Sequence, residues 1–186
     1  MAEKRRRLGR EDWIAAALVA LTRKGVGAVA IEPLAAQLGA TKGSAYWHFA
    51  NRDELLRAAL ERWEHDETDA VIALVDNVPD AAGRLRTLLT AAFVHTRDNL
   101  AVLLAGTGDP ILEPVLARVT ERRIAYIAKL FEELGLPEQV ARRRAVLVYS
   151  AYLGNAQLWR TVPAALPSNP GDWQHYVDEV LRAFTP

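Results

Sequence analysis

The stretch from Thr41 to Phe49 concentrates side chains that can donate hydrogen bonds or stack on flat groups. Its polar and aromatic members are Thr41, Lys42, Ser44, Tyr46, Trp47 and His48. Folded as a short helix, the stretch has little apolar surface to bury, so most of these side chains must face a polar partner. A helix of donors and aromatic rings, supported by an apolar helix, is what the major groove of DNA accepts. The chemistry predicted here is recognition of nucleic acid.

The residues before this stretch are predicted to support it. Residues 31–38 have the pattern of a short apolar helix, with Pro33 in its first turn, where a missing N–H costs nothing. Gly39 permits a tight turn. Thr41 is a suitable N-cap because its hydroxyl can accept a backbone N–H. The order is that of a helix-turn-helix.

Two flanking helices complete the predicted head. The first is expected from about Arg10 to Lys24, where Gly25 ends it. A longer helix is expected from Arg52 to Asp76, with Asn51 as its N-cap. Apolar residues at helical spacing are expected to form the core of this head. They are Trp13, Leu18, Leu21, Leu34, Leu38, Phe49 and Leu56.

The net charge of zero is unevenly distributed along the chain. Residues 1–63 contain 11 Lys and Arg against 7 Asp and Glu, whereas residues 64–186 contain 12 against 16. A basic N-terminal third on an acidic remainder fits a head that meets a polyanion and a body that does not. Five of the basic residues lie within the first ten positions. That run is either an arm that contacts DNA or a solubilising terminus.

Apolar residues recur at helical spacing along the whole chain, and no alternation of period two marks a strand. The predicted fold class is all-α, with about nine helices: a three-helix head and a helical body. The remaining helices are expected at about 81–97, 111–134, 138–162 and 172–184. A short additional helix is expected to follow the first of these and to extend to about residue 104.

Composition excludes several other classes. The chain has no cysteine, which excludes disulfides and thiolate metal sites. Its longest uncharged apolar stretch, residues 145–159, falls short of the ~20 residues of a membrane span. No signal-type apolar run follows the basic start. We therefore expect a cytoplasmic protein with no membrane partner.

An enzyme is not expected. His65 and Asp69, spaced i and i+4, could share a metal ion, but a solvated acidic helix face explains them better. None of the serines at 44, 150 and 168 lies in a Gly-x-Ser-x-Gly turn, and no glycine-rich phosphate loop is present. The sequence predicts no catalytic residue, no metal site and no cofactor.

A set of residues in the first third of the chain matches a known family in order and spacing. They are Ile31, Leu34, Ala35, Leu38, Gly39, Thr41, Lys42, Gly43, Tyr46, Trp47, His48, Phe49 and residues 51–56. On these residues, the stretch 10–63 resembles the N-terminal domain of the TetR family of transcriptional regulators. Ala45, where the family often has a larger aliphatic residue, and Arg52, where it often has lysine, depart from the pattern. The resemblance implies a homodimer that binds a near-palindromic operator in double-stranded DNA and holds a small molecule in its body. Because ligand usually releases DNA in this family, a repressor is expected.

The resemblance also assigns DNA contacts. Tyr46 and His48 are expected to contact phosphates, and Trp47 the DNA backbone or a thymine methyl. Lys42 and Ser44 lie early on the recognition helix, where they can approach base edges or phosphates. Capping alone would also explain Thr41, a core position would explain Trp47, and His48 could lie on the surface without a role. The full set is Thr41, Lys42, Gly43, Ser44, Tyr46, Trp47, His48 and Arg52, with Arg5, Arg6 and Arg7 of the arm.

The predicted domains are an arm at residues 1–9, a DNA-binding domain at 10–63 with its motif at about 30–49, and an effector-binding and dimerisation domain at 64–186. The stretch from Leu147 to Trp159 is apolar nearly all round, so it is buried on more than one side. One of its faces, with part of the last helix, is assigned to a four-helix dimer interface. That interface comprises Leu147, Ala151, Gly154, Leu158, Tyr176, Val177, Val180 and Phe184.

The aromatic face of the same stretch is assigned to an effector pocket inside the body. A mostly apolar cavity with a few hydroxyls suits a hydrophobic or aromatic effector. The alternative is that these residues pack a solid core. The candidates are Phe93, Thr96, Leu100, Leu103, Tyr126, Leu130, Tyr149, Tyr152, Asn155 and Trp159.

Two other functions stay open from the sequence. One is an all-helical ligand-binding protein or enzyme whose helix-turn-helix is fortuitous. The other is a TetR-like activator that has no ligand. Binding to DNA upstream of its own gene would separate a regulator from the first of these.

Overall fold

A computed structural model describes residues 8–95, 99–106 and 108–184. Every regular element in these ranges is helical, and none of their residues lies in a β-strand. The all-α prediction is confirmed. None of the helices in the described ranges combines the length and the apolar character needed to cross a membrane.

The first part of the chain forms four α-helices. α1 ends where Gly25 takes a φ of 83°, and α2 ends where Gly39 takes a φ of 63°. Both values lie in the region that glycine adopts without a steric penalty. A short 3₁₀ turn, Val26–Ala28, follows α1. The helices are α1 (Arg10–Lys24), α2 (Ile31–Leu38), α3 (Lys42–Tyr46) and α4 (Arg52–Glu64).

The recognition helix is shorter than predicted. The sequence placed it from Thr41 to Phe49, whereas α3 ends at Tyr46. Helical hydrogen bonding continues beyond that point, since Phe49 N–H donates to the Ala45 carbonyl oxygen at 2.9 Å. His48 N–H donates to the same oxygen at 2.9 Å. This i to i−3 bond tightens the last turn, as is common at helix ends.

The chain separates into two compact units. We call residues 1–64 with 102–115 the head unit, and residues 65–101 with 116–186 the body unit. The sequence placed every residue after 63 in one domain, so the segment 102–115 is grouped differently in the structure.

The head unit has an apolar core. Trp13 and Leu21 of α1 are fully buried, as is Leu56 of α4, and α1 packs on α2 and α4. Burying a side chain of this size contributes ~1.5–3 kcal/mol. Leu103 and Leu112 of the 102–115 segment are fully buried as well.

The other helices are α5 (Ala70–Asp76), α6 (Ala81–Thr90), α7 (Asn99–Leu104), α8 (Leu112–Glu133), α9 (Glu138–Thr161) and α10 (Pro170–Phe184). The last three correspond to the helices predicted at 111–134, 138–162 and 172–184. In the body core, Leu89 of α6 and Phe131 of α8 are fully buried. Trp173 of α10 stacks on Trp159 of α9, with ring centroids 6.0 Å apart.

Two π-helical turns widen helices of the body unit. His65–Asp69 joins α4 to α5, where the sequence predicted one unbroken helix. Ala91–His95 continues α6. A π turn inserts one residue, weakens the helix locally and recurs at functional sites. Such an insertion leaves the apolar spacing nearly helical, so the sequence pattern did not indicate it.

Candidate nucleic-acid interface and effector cavity

The turn between α2 and α3 is closed by backbone and side-chain hydrogen bonds. Ala40 N–H donates to the Ala35 carbonyl oxygen at 2.9 Å, which satisfies the end of α2. Ser44 N–H donates to the Thr41 hydroxyl at 3.4 Å. Thr41 therefore caps α3. The helices α2 and α3 are thus joined by a hydrogen-bonded turn that contains Gly39.

Two buried apolar side chains attach α3 and the turn after it to the head. Ala45 and Phe49 are almost wholly buried. The Arg10 guanidinium carbon lies 5.1 Å from the centroid of the Phe49 ring, a cation–π contact. The rest of α3 is left to face solvent.

The exposed part of α3 and its end presents two large aromatic side chains. Tyr46 is 54% exposed and Trp47 is 77% exposed. Such exposure excludes the alternative of Trp47 as a core residue. Aromatic side chains with a polar tip, left bare side by side, mark a surface that a partner covers. Of the other predicted contacts on α3, Thr41, Lys42 and Gly43 are exposed, and Ser44 and His48 are half-buried.

Lys42 is paired with a carboxylate on the preceding helix. Its Nζ lies 2.5 Å from Glu32 Oε1. This hydrogen bond holds the pKa of the Glu32 carboxyl below its ordinary value, and Glu32 raises the pKa of Lys42. Both side chains are largely exposed, so the pair contributes little to stability. A DNA phosphate would compete with Glu32 for the ammonium.

Gly43 is not required by the fold. A Cβ built there would meet only Thr41 Oγ1 among the described residues, at 3.8 Å, which is an ordinary contact. Glycine inside a helix costs ~1 kcal/mol relative to alanine. The position of Gly43 thus has open space beside it, and close approach of DNA there stays a prediction.

Arg52 binds within the head unit. Its Nε donates to the Val29 carbonyl oxygen at 2.9 Å and its Nη2 to that of Val26 at 2.8 Å. Nη1 donates to Asp53 at 3.1 Å. These bonds fix the turn after α1 to the start of α4. The DNA contact assigned to Arg52 stays a prediction, and it would have to use the remaining N–H groups. Arg5, Arg6 and Arg7 lie outside the described residues.

The body unit contains a cavity of about 350 Å³ with mostly apolar walls. Both π turns border it. The first contributes Glu67 and Thr68, and the second contributes Ala91, Ala92 and Phe93. Residues of α5, α6, α8 and α9 line the remainder. Its volume falls within the ~300–1,000 Å³ of small-molecule sites.

Only part of the predicted effector set lines this cavity. Phe93, Tyr126, Tyr149 and Tyr152 do. Thr96 and the side chain of Leu100 lie outside the described residues.

Four other residues of the predicted effector set lie outside the lining of this cavity. Leu103 is buried in the head unit. Leu130 is fully buried in the body core. Asn155 and Trp159 lie further along α9 than the cavity, where Asn155 Oδ1 accepts from Tyr176 at 3.2 Å and Trp159 stacks on α10. These four residues do not line the cavity.

The tyrosines of the cavity are held by hydrogen bonds. Tyr126 donates to Asp76 Oδ1 at 2.7 Å. Burial, together with this carboxylate, raises the pKa of Tyr126 well above its ordinary value, so the phenol stays neutral. The hydroxyls of Tyr149 and Thr120 lie 3.2 Å apart. The rings of Tyr149 and Tyr152 lie 5.7 Å apart.

Arg123 is one of the cavity residues that the sequence analysis did not predict, and it is a charged one. It lies on α8 and lines the cavity among apolar neighbours. The sequence did contain an indication of this position. Val119 and Ile127 lie four residues before and after Arg123 on the same face of α8, and both are buried. A charged residue in the middle of an inward-facing stripe indicates a polar group directed to the interior.

The face of α9 assigned to dimerisation carries exposed apolar side chains. Leu147 is 55% exposed, and Leu158 is also exposed. Val146 of α9 and Val162, which follows this helix, are exposed as well. No described atom would meet a Cβ at Gly154. A second chain could cover such a surface, and the interface stays a prediction.

The α10 part of the predicted interface needs one correction. Val177 is only 2% exposed and belongs to the body core, so it has no surface to offer. Tyr176, Val180 and Phe184 are half-buried, as is Ala151 of α9.

The head combines the features of a helix-turn-helix DNA-binding domain. Gly39 forms the turn, Phe49 is the buried anchor, and α3 exposes hydrogen-bond donors and aromatic rings. Residues 14–59 match the sequence profile described as bacterial regulatory proteins, tetR family. Over residues 14–59 the chain is therefore similar to the DNA-binding domain of TetR-family regulators.

One curated relative is the HTH-type transcriptional regulator TtgR of Pseudomonas putida. It is 35% identical over 86 residues. The match covers 45% of this chain and 40% of that regulator, so the chain spans less than half of the relative's length.

Solved structures of similar fold cover nearly the whole chain. A transcriptional regulator from Rhodococcus sp. Rha1 has a TM-score of 0.76 at 21% identity, covering 95% of this chain and 96% of that one. A TetR-family transcriptional regulator from Streptomyces coelicolor has a TM-score of 0.71 at 19% identity, covering 95% and 96%. At these identities the likeness concerns the fold alone, which is all-helical.

Proposed function

We propose that the chain is a transcriptional repressor that binds a near-palindromic operator as a homodimer and is released by a small hydrophobic or aromatic effector. The observation that carries the proposal is the exposure of Tyr46 and Trp47 beside the buried anchor Phe49. A monomer that only carried a ligand would not require two large aromatic side chains exposed on the surface of α3.

Dimerisation is part of the proposal because one short helix can contact only a few base pairs. Two heads spaced one turn of DNA apart, ~34–36 Å, or a multiple of it, would read two half-sites together. The exposed apolar face of α9, at Leu147 and Leu158, supports a partner surface of the kind that joins identical chains.

The effector is proposed to enter the cavity bordered by the two π turns. Its apolar walls favour an apolar ligand body, and its few polar groups can orient that ligand. A ligand that binds more tightly to the DNA-free conformation than to the DNA-bound one would lower operator occupancy. The size of the shift is set by the difference between its two affinities.

Footprinting on DNA from upstream of the chain's own gene tests this proposal. We expect two protected half-sites related by a two-fold axis, with an even number of chains bound by mass measurement. Binding should weaken steeply as salt rises, because phosphate contacts release counterions. Absence of binding at low salt, or protection of a single half-site by one chain, would contradict it.

A further inference from the structure

A carboxylate lies beside the recognition helix on the exposed surface of the head unit. Glu32, in the first turn of α2, binds Lys42 of α3 through its Oε1, which lies 2.5 Å from the Lys42 Nζ. The side chain of Glu32 is 71% exposed and that of Lys42 is 63% exposed. Both groups can therefore be reached by a partner that approaches α3.

The place of this pair in the motif is informative. Lys42 is the first residue of α3. In a helix-turn-helix, the first residues of the recognition helix contact base edges in the major groove. Glu32 was not among the residues assigned to DNA from the sequence. Its bond to Lys42 nevertheless places its carboxylate at the same end of α3.

A carboxylate at this end of α3 does not suit the DNA backbone. The hydrogen bond from Lys42 holds the pKa of the Glu32 carboxyl below its ordinary value, so Glu32 is ionised at neutral pH. An ionised carboxylate can only accept hydrogen bonds, and so can the phosphate and sugar oxygens within a DNA strand. The donors of the major groove belong to bases, namely N4 of cytosine and N6 of adenine. In contact with DNA, Glu32 can therefore be matched only by a base.

Both members of the pair retain capacity for further hydrogen bonds. The bond between them uses one oxygen of Glu32 and one N–H of Lys42, whereas a carboxylate has two acceptor oxygens and an ammonium has three donors. The pair thus presents an acceptor next to a donor. The major-groove edge of a C·G base pair is complementary, because the cytosine N4 donor adjoins the guanine O6 acceptor.

An A·T base pair matches this arrangement less well. It also presents a donor next to an acceptor, at adenine N6 and thymine O4, but the thymine methyl group lies beside that acceptor. Guanine instead offers two acceptors, O6 and N7, to a lysine. The chemistry of the pair therefore favours C·G.

We propose that Glu32 recognises cytosine in the operator and, with Lys42 bound to guanine, selects a C·G base pair in each half-site. This inference rests on the proposed function as a DNA-binding regulator and adds a residue that determines its specificity. The carboxylate also repels phosphates and occupies Lys42, so it weakens binding to DNA of any other sequence. Glu32 thus favours the operator over other DNA in two ways.

Selection of binding sites from randomised double-stranded DNA tests this assignment. The full chain is used as the wild type, Glu32→Ala and Glu61→Ala. We expect the wild type to require C·G at one position of each half-site. Glu32→Ala should relax that requirement and keep the preferences at the other positions. Glu61 is an exposed carboxylate of α4 in the head unit, so Glu61→Ala controls for the same change of net charge and should select the wild-type site.

Affinity measurements give the size of the effect. Replacing the C·G pair by T·A in one half-site should weaken wild-type binding about tenfold or more, as one matched base contact provides. The same replacement should weaken binding of Glu32→Ala about threefold or less. On non-operator DNA, Glu32→Ala should bind more tightly than the wild type, because Lys42 is then available to a phosphate. That binding should also fall more steeply with salt.

Three results would overturn the inference while the proposed function stands. They are an unchanged base preference in Glu32→Ala, a loss of affinity that is equal for all sequences, and a wild-type site without the C·G pair. Circular dichroism checks that Glu32→Ala folds. If it does not, Glu32→Gln, which keeps the size of the side chain and removes its charge, should relax the same position. A wild-type chain that selects no sequence would overturn the proposed function together with this inference.

Discussion

Arg52 Nη2 donates to the carbonyl oxygen of Val26 at 2.8 Å and so joins the start of α4 to the turn after α1. Arg52 Nε donates a second hydrogen bond to the carbonyl oxygen of Val29 at 2.9 Å, so two N–H groups of one guanidinium bind this turn. Lysine has no planar fork and cannot reproduce this geometry. Arg52 thus has a structural role within the head unit, which substitutions can separate from the predicted contact with DNA.

The first prediction concerns this contact. Arg52→Lys and Arg52→Gln should both lower the free energy of unfolding by about 1 to 2 kcal/mol, since hydrogen bonds from a half-exposed cation are lost. Denaturant titration of the two variants measures it. A lysine variant as stable as the wild type, with only the glutamine variant weak in DNA binding, would show that charge toward phosphate is the main role of Arg52.

The second prediction concerns Gly43. Gly43→Ala should leave the head equally stable or more stable, by up to about 1 kcal/mol, because alanine favours helix. DNA affinity should nevertheless fall, since the added methyl group lies where the groove approaches α3. Gly27→Ala, at another exposed glycine of the head with open space around it, is the control. Equal DNA affinity for Gly43→Ala and the wild type would exclude close approach at this residue.

The third prediction concerns the cavity. Ala92 lines it, whereas Ala156 is buried elsewhere in the body unit. Ala92→Leu should fill the cavity and weaken ligand binding, with operator binding by the unliganded chain retained. Ala156→Leu should instead lower stability by about 1 to 3 kcal/mol through overpacking. Ligand titration and thermal unfolding of both variants separate the two effects, and unchanged ligand affinity in Ala92→Leu would remove the cavity from the account.

The fourth prediction concerns the exposed face of α9. Leu147→Glu should dissociate the dimer, because it places a charge on an apolar surface that a second chain would bury. Val19→Glu, at an exposed apolar residue of α1, should leave the oligomeric state unchanged. Sedimentation measures both. A Leu147→Glu chain that remains dimeric would exclude this face as the interface.

Much of the head could be predicted from the sequence because its signals are local. Gly25 and Gly39 end α1 and α2 where positive φ values require glycine. Thr41 caps α3 through a bond to a residue three positions away. Signals of this kind depend on neighbours in sequence, so they survive without knowledge of the tertiary structure.

The body was harder to predict because its cavity depends on distant residues. The two π turns add one residue each and leave the apolar pattern nearly intact, so they were not anticipated. Leu103 and Trp159 have the right character for a pocket and lie elsewhere. Arg123 was not singled out from the sequence, because its partner Thr68 lies 55 positions away.

The most direct test of the account is the affinity of the chain for its operator, measured across a range of salt, for the wild type, Tyr46→Phe and Trp47→Ala. Both side chains are exposed, so neither change should alter the unfolding temperature. We expect Tyr46→Phe to weaken binding roughly threefold to tenfold, the effect of one lost hydrogen bond, and Trp47→Ala to weaken it further. Unchanged affinity in both variants, or no salt-dependent binding by the wild type, would contradict the assignment of α3 as the helix that binds DNA.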